Sequence, residues 1–324
     1  MINKFENIQV LVIGDVMIDA YLFGKVDRIS PEAPVPVVAV EKKENRLGGA
    51  ANVALNLASL GARPVLCSVI GADFEGNDLL DLLRKNNIDA RGIVQDAQRI
   101  TTVKTRVISQ NHQMLRIDSE VSDNLSHEQT QHFIKRIEEL IPQSQVIIFE
   151  DYDKGVITEE LITRVTAIAH KNNIPVVVDP KKRNFSFYKE ASLFKPNLKE
   201  LREGFKQEFS IHNKQEFEAV CKDLMQAMKL KNLFVTLSEH GVMITDGTAF
   251  HYIPAHFRKI ADVSGAGDTV ISVASLCMAL NMPIKNIAAI SNLAGGLVCE
   301  EVGVVPIDKN KLATELNAIG LSLE

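Results

Sequence analysis

The 324-residue chain is poor in cysteine: only Cys67, Cys221, Cys277 and Cys299 are present, and no two form a CxxC pair. No His or Cys spacing supports a zinc site. Cys67 and Cys277 lie in apolar runs, so the thiols read as buried and free in a reducing compartment. A basic excess is also missing, because 36 Lys and Arg against 41 Asp and Glu leave a net charge of −5. That balance offers nothing to nucleic acid, and Lys181-Lys182-Arg183 is too short to line a polyanion groove. Long apolar stretches are absent: nothing approaches the ~18 residues of a membrane span. The polar start, residues 1–7, is followed only by the short run 8–13, too little for a signal peptide. These absences point to a cytoplasmic protein with neither a nucleic-acid nor a membrane partner. Repeats, low-complexity tracts and linkers are lacking too, so the expectation is one domain over residues 1–324.

What is there is an alternation of short apolar runs and amphipathic stretches. Residues 8–13 end in Gly14-Asp15, the pattern of a buried parallel strand with polar residues at its C-terminal end. Similar runs recur at 65–70, 146–149, 176–178 and 233–237. Between them, 128–141 places Phe133, Ile134, Ile137, Leu140 and Ile141 on one helical face, and 159–170 does the same with Leu161, Ile162, Val165, Ile168 and Ala169. The fold class is therefore α/β, a mostly parallel central sheet flanked by helices. Residues 35–40 and 101–118 break the rhythm. Val103-Lys104-Thr105-Arg106-Val107 alternates, and Gln110-Asn111-His112 reads as a turn. They predict a small β-sheet lid from segments at about 20–45 and 99–118, which could also carry a homodimer contact because exposed sheet edges tend to be covered.

The strongest local signal is Asp262-Val263-Ser264-Gly265-Ala266-Gly267-Asp268-Thr269, followed at once by a helical stretch, 269–280. Two glycines before a helix let backbone N–H groups face an anion, with the helix dipole behind them. GxxxxGK[ST] is absent, and so is a GxGxxG after the first strand. Asp268 has two readings on these grounds: a first-turn carboxylate stabilising the helix, or a base beside the anion cradle.

Gly48-Gly49-Ala50-Ala51-Asn52 opening one helix and Asp262-x-x-Gly265-x-Gly267-Asp268 about 210 residues on resemble the two signatures of the ribokinase-like (PfkB) carbohydrate kinases. The resemblance implies ATP and Mg²⁺ as cofactors, an anion hole from Gly265, Ala266 and Gly267, and Asp268 as catalytic base. It implies substrate contacts at Gly48, Gly49 and Asn52, where a helix start ended by Gly61 is the plainer reading. Lys195-Pro196-Asn197-Leu198-Lys199-Glu200 looks like the NxxE element of that family, placing Asn197, Leu198, Lys199 and Glu200 at the nucleotide, Glu200 reaching Mg²⁺ through water. An Asn N-cap with Glu at N3 explains the same spacing. Thr236, Ser238, Gly241 and Asn292 fall where the family lines the nucleotide, and Asp262 is the candidate for a K⁺ site.

The acceptor comes from more local segments. Residues 28–37, 101–113, Asp151-Tyr152-Asp153-Lys154-Gly155 and Asp179-Pro180-Lys181 resemble bacterial D-glycero-D-manno-heptose-7-phosphate kinases, over about 8–306. The implied reaction phosphorylates O1 of the heptose 7-phosphate, giving the 1,7-bisphosphate for ADP-heptose synthesis. Asp15, Asp19, Asn111 and Asp151 are candidates for sugar hydroxyls. Lys104, Arg106, Arg116, Lys154 and Lys181 are candidates for the phosphate already present, each also readable as a solvated charge. Glu150 stands where such kinases often have a small residue, and Ser264 where Thr is commoner. Many are bifunctional; this sequence lacks HxGH and stops soon after the kinase region, so the expectation is that another protein supplies the nucleotidyltransferase step. Fructose, ribose or another sugar phosphate remains the alternative acceptor, and a non-catalytic nucleotide- or sugar-binding protein the alternative of another class.

Overall fold

The computed structural model describes residues 2–110, 112–256 and 259–320. In chain order the strands are β1 (Gln9–Gly14), β2 (Val16–Ile29), β3 (Pro36–Gly49), β4 (Arg63–Gly71), β5 (Asp89–Asp96), β6 (Val103–Ser109) and β7 (His112–Ser119). They continue with β8 (Val146–Glu150), β9 (Val176–Asp179), β10 (Leu193–Phe194), β11 (Leu233–Thr236), β12 (Val242–Thr245) and β13 (Phe250–Ile253). The helices are α1 (Ala50–Ser59), α2 (Phe74–Lys85), α3 (His127–Glu138), α4 (Glu159–Lys171), α5 (Leu198–Phe205), α6 (Lys214–Met228), α7 (Ala266–Ala279), α8 (Ile284–Val298) and α9 (Lys309–Ala318).

The apolar runs become the middle of a nine-stranded sheet, ordered β13-β12-β11-β10-β9-β8-β1-β4-β5. From β11 to β5 all pairs are parallel; β12 and β13 join antiparallel at one edge. The runs are continuous because both faces are covered. Successive side chains point to opposite faces, so Val10 and Val12 enter one core with α1, α7 and α8, and Leu11 and Ile13 enter another with α3, α4 and α6. Cys67, Cys221 and Cys277 are buried free thiols, and burial raises all three pKa values.

A second sheet, ordered β3-β2-β6-β7, stands apart. A single residue, Asp15, separates β1 from β2, so the chain changes sheets there, and β3 runs straight into α1 through Gly48-Gly49. The small sheet is thus longer than residues 35–40 suggested. α7 starts three residues earlier than 269, because Gly265 already turns the chain at φ +78°. α3 stops before 141, where Ile141 opens a short 3-10 turn containing Pro142. Among the described residues no helix is long and apolar enough to cross a membrane.

Candidate active site

The C-terminal ends of β8 and β9 meet α7, and the chain passes from one sheet to the other at Asp15, whose carboxylate accepts from the loop after β8. Gly265 is left-handed and no side chain caps α7. The turn is tied from outside: Asp262 Oδ1 accepts from Ser264 N (3.0 Å) and Oγ (2.9 Å), and Oδ2 accepts from Gly303 N (3.0 Å). A side chain at Gly265 would press Asn52 Nδ2 at 3.0 Å, whereas one at Gly267 would find its nearest neighbours, Asp179 Oδ2 and Lys195 Nζ, at 3.9 Å. The turn therefore faces open space bounded by a buried ion pair, Lys195 Nζ to Asp179 Oδ2 at 2.7 Å.

Asp268, at the third position of α7, is buried and does not cap the helix. Its Oδ2 accepts from Asn52 Nδ2 (2.7 Å) and its Oδ1 from the Tyr152 hydroxyl (2.8 Å). Burial raises its pKa, against the lowering effect of those two bonds. Asn52 is itself fixed, its side-chain and backbone oxygens accepting from Asn56 Nδ2, while Asn56 Oδ1 accepts from Thr269 Oγ1 and Ile307 N. Gly48-Gly49 thus opens a helix whose first turn holds the carboxylate, and Asn52, expected at the substrate, supports Asp268 directly.

The nucleotide candidates split. Asn197 caps α5 and Glu200 returns the bond to the Asn197 N–H, a complete capping box. Glu200 also binds Lys181, which lies over the Tyr152 ring, 5.3 Å from its centroid. Leu198 packs on the core, and Lys199 is exposed and faces Glu203. Thr236 bridges to Asn197, and Ser238 and Gly241 shape a left-handed turn after β11. Asn292 donates to the Pro254 carbonyl at 2.8 Å.

Two acceptor candidates turn inward instead. Asp15 is buried, its carboxylate accepting the N–H groups of Tyr152, Lys154 and Val156, so it holds the loop after β8. Asp151 accepts from Asn184, Tyr188 and its own loop, and burial lifts its pKa to about 6. Both carboxylates thus serve donors of the chain itself. Asn111 lies outside the described residues. Asp19 pairs with Arg106 beside Gly48, and Arg106 stands over the Tyr21 ring. Lys104 and Lys154 both reach Glu120, and Arg116, more exposed, pairs with Asp118.

Sequence reasoning passed over Tyr152, Glu150, Asp179 and Lys195 as site residues. Their one signal was position, at the C-terminal ends of parallel strands, where ligands gather in such sheets. Glu150 is the odd member: buried, its Oε2 without a hydrogen-bond partner, its pKa driven well up by burial and then by the charges of Asp179 and Asp268.

A model of the "pfkB family carbohydrate kinase" matches residues 7–310. The chain belongs to the pfkB family. This pfkB kinase is 40% identical to the bifunctional protein HldE of Methylobacillus flagellatus over 97% of its own length, and 38% identical to that of Helicobacter pylori strain G27 over 95%. It spans only 64% and 66% of those relatives. Phosphofructokinase-2 from Escherichia coli shares the pfkB fold, with a TM-score of 0.80 at 18% identity in its potassium complex, the alignment covering 97% of this chain and 99% of that one. In its complex with fructose-6-phosphate the TM-score is 0.78 at 19% identity, over 96% and 99% of the two chains. The expected ribokinase-like α/β fold and carbohydrate kinase class both hold.

Proposed function

We propose that this kinase moves the γ-phosphoryl group of ATP onto O1 of D-glycero-β-D-manno-heptose 7-phosphate, forming the 1,7-bisphosphate for ADP-heptose synthesis. The reading rests on one arrangement: a buried carboxylate, Asp268, beside a glycine turn, with the mostly buried Lys104 and Lys154 at the seam between the two sheets. A sugar that already carries a phosphate needs fixed cations; a plain sugar does not. Similarity to the HldE proteins and to the heptose kinase segments in the sequence supports the same acceptor.

Asp268 takes the O1 proton as the O1–phosphorus bond forms and the bond to the ADP oxygen breaks. The 265–267 turn receives the charge on the phosphoryl oxygens. Asn52 and Tyr152 keep the carboxylate aimed and favour its ionised form. Lys195 and Lys181 stand where the leaving phosphates would pass. Mg²⁺ fits these donors: Glu200 and the unpartnered Glu150 Oε2 are hard oxygens, and an ion that keeps several waters needs only one or two such carboxylates. Its chemistry there is to neutralise charge on the transferring phosphates. Asp262 accepts three hydrogen bonds, which leaves room for one K⁺ contact.

The small sheet serves as the acceptor lid, and its exposed β7 as a homodimer contact in a cytoplasmic enzyme. The deciding experiment offers ATP with heptose 7-phosphate, fructose 6-phosphate, fructose and ribose, and reads products by phosphorus NMR. Phosphate on the anomeric oxygen of the heptose is expected. Turnover of fructose or ribose with none of the heptose phosphate refutes the acceptor and leaves the kinase class standing.

A further inference from the structure

Glu120 follows β7 in a stretch, 120–126, without regular structure. It joins two lysines that belong to different parts of the molecule. Oε2 accepts from Lys104 Nζ of β6 in the small sheet at 2.7 Å, and Oε1 from Lys154 Nζ in the loop after β8 at 2.8 Å. All three side chains are mostly buried, at 26%, 14% and 17% exposed, so this is no surface pair. Lys154 is fixed from behind: Asp15 accepts its N–H and Arg99 Nη2 donates to its carbonyl. Lys104 lies opposite Asp19 across β2 and β6, and Arg106 Nη1 reaches Asp19. The chain after Glu120 is pinned by Arg183 at the Ser122 carbonyl and Arg99 at the Asp123 carbonyl. Among the described residues the Glu120 carboxylate is held by its two lysines.

We infer that Glu120 is an internal anion occupying the seat of the acceptor's own phosphate, and that a phosphate monoester displaces it from Lys104 and Lys154. The carboxylate offers two oxygens, one to each lysine, and one negative charge. Lys104 Nζ also donates to Asp118 Oδ2 at 3.1 Å, a carboxylate it shares with Arg116. A phosphate monoester offers three terminal oxygens and nearly two charges, so it can replace both Glu120 contacts and bring more charge to the two lysines than that carboxylate does. A monoanionic carboxylate ligand gains nothing by the exchange and must also beat a competitor already tethered in place. Glu120 thereby sets a threshold that phosphorylated acceptors clear and sugar acids do not. The lysine pair also agrees with the sign of the Glu120 shift, whose pKa lies below the usual value although burial alone would raise it.

The inference rests on the proposed phosphate-bearing acceptor, and the test separates the two. Binding of inorganic phosphate and of heptose 7-phosphate to the full chain is measured by calorimetry for wild type, Glu120→Gln, Lys154→Ala and the double variant. Glu120→Gln is expected to bind phosphate about fivefold more tightly, Lys154→Ala to bind it more weakly, and the gain from Glu120→Gln to shrink in the Lys154→Ala background. In turnover, the change in acceptor KM should exceed that in kcat. Weaker phosphate binding by Glu120→Gln, with Lys154→Ala also weakened, overturns the displacement and keeps the lysine site. No effect of Lys154→Ala on either ligand overturns both. Glu120→Asp, which keeps the charge but shortens the reach, should fall between wild type and Glu120→Gln, so a poorly folded Gln variant does not leave the question open.

Discussion

At the scale of single residues, the proposed chemistry turns on the ionisation of one carboxylate in a buried place. Asp268 has burial against it and two hydrogen bonds for it. Asp268→Asn removes the proposed proton acceptor while nearly preserving shape, so kcat should drop by about 10³ with a small change in KM. Because burial raises the folded pKa of Asp268, its ionisation weakens the fold: the group's contribution is full below the unfolded pKa and is lost as pH rises through the folded one. The variant should therefore melt no lower than wild type at pH 8, which separates a lost base from a lost fold. Tyr152→Phe removes one donor to the ionised form. The Asp268 pKa should climb further, and the acid limb of kcat/KM should move to higher pH by about one unit. An unmoved limb would mean that Tyr152 merely packs there. The Tyr152 hydroxyl keeps its proton through this range, since burial and the Asp268 charge both push its own pKa up.

At the scale of elements, the capping box at α5 poses a sharper question, because Asn197 and Glu200 serve the helix whatever else they do. Asn197→Ala should cost about 1 kcal/mol of stability, seen as a lowered Tm. If Asn197 and Glu200 also place the nucleotide, KM for ATP rises in the same variant. A changed Tm with unchanged ATP kinetics confines the pair to capping. The elements that sequence made legible were those with one dominant local cause. β1, β8 and β9 are apolar because both faces are buried, and α7 announces itself by Gly265 and Gly267. What local pattern could not carry was the direction of each carboxylate. Asp15 and Asp151 look like ligand groups at a strand end, yet each faces loop N–H groups or buried donors brought in from elsewhere in the chain. Tyr152 was invisible as a partner of Asp268 for the same reason, since 116 residues separate them. β10, only two residues long, gives no periodicity to read.

At the scale of the whole molecule, the small sheet is the part that the fold leaves unfinished. β7 is exposed along its length and carries Leu115 and Ile117 outward, 56% and 51% exposed, on an edge strand with no neighbour beyond it among the described residues. Exposed apolar edges invite pairing. A second copy would bury these side chains, and each aliphatic residue covered contributes roughly 2 kcal/mol. Sedimentation velocity should show a dimer at micromolar concentration, and the pair Leu115→Lys with Ile117→Lys should raise its dissociation constant at least about a hundredfold. The consequence reaches the site because β7 pairs with β6, the strand that carries Lys104 and Arg106. A monomeric variant should lose acceptor affinity before it loses turnover at saturating acceptor. A wild type that sediments as a monomer, or a monomeric variant with the same acceptor KM, would disconnect assembly from the lid.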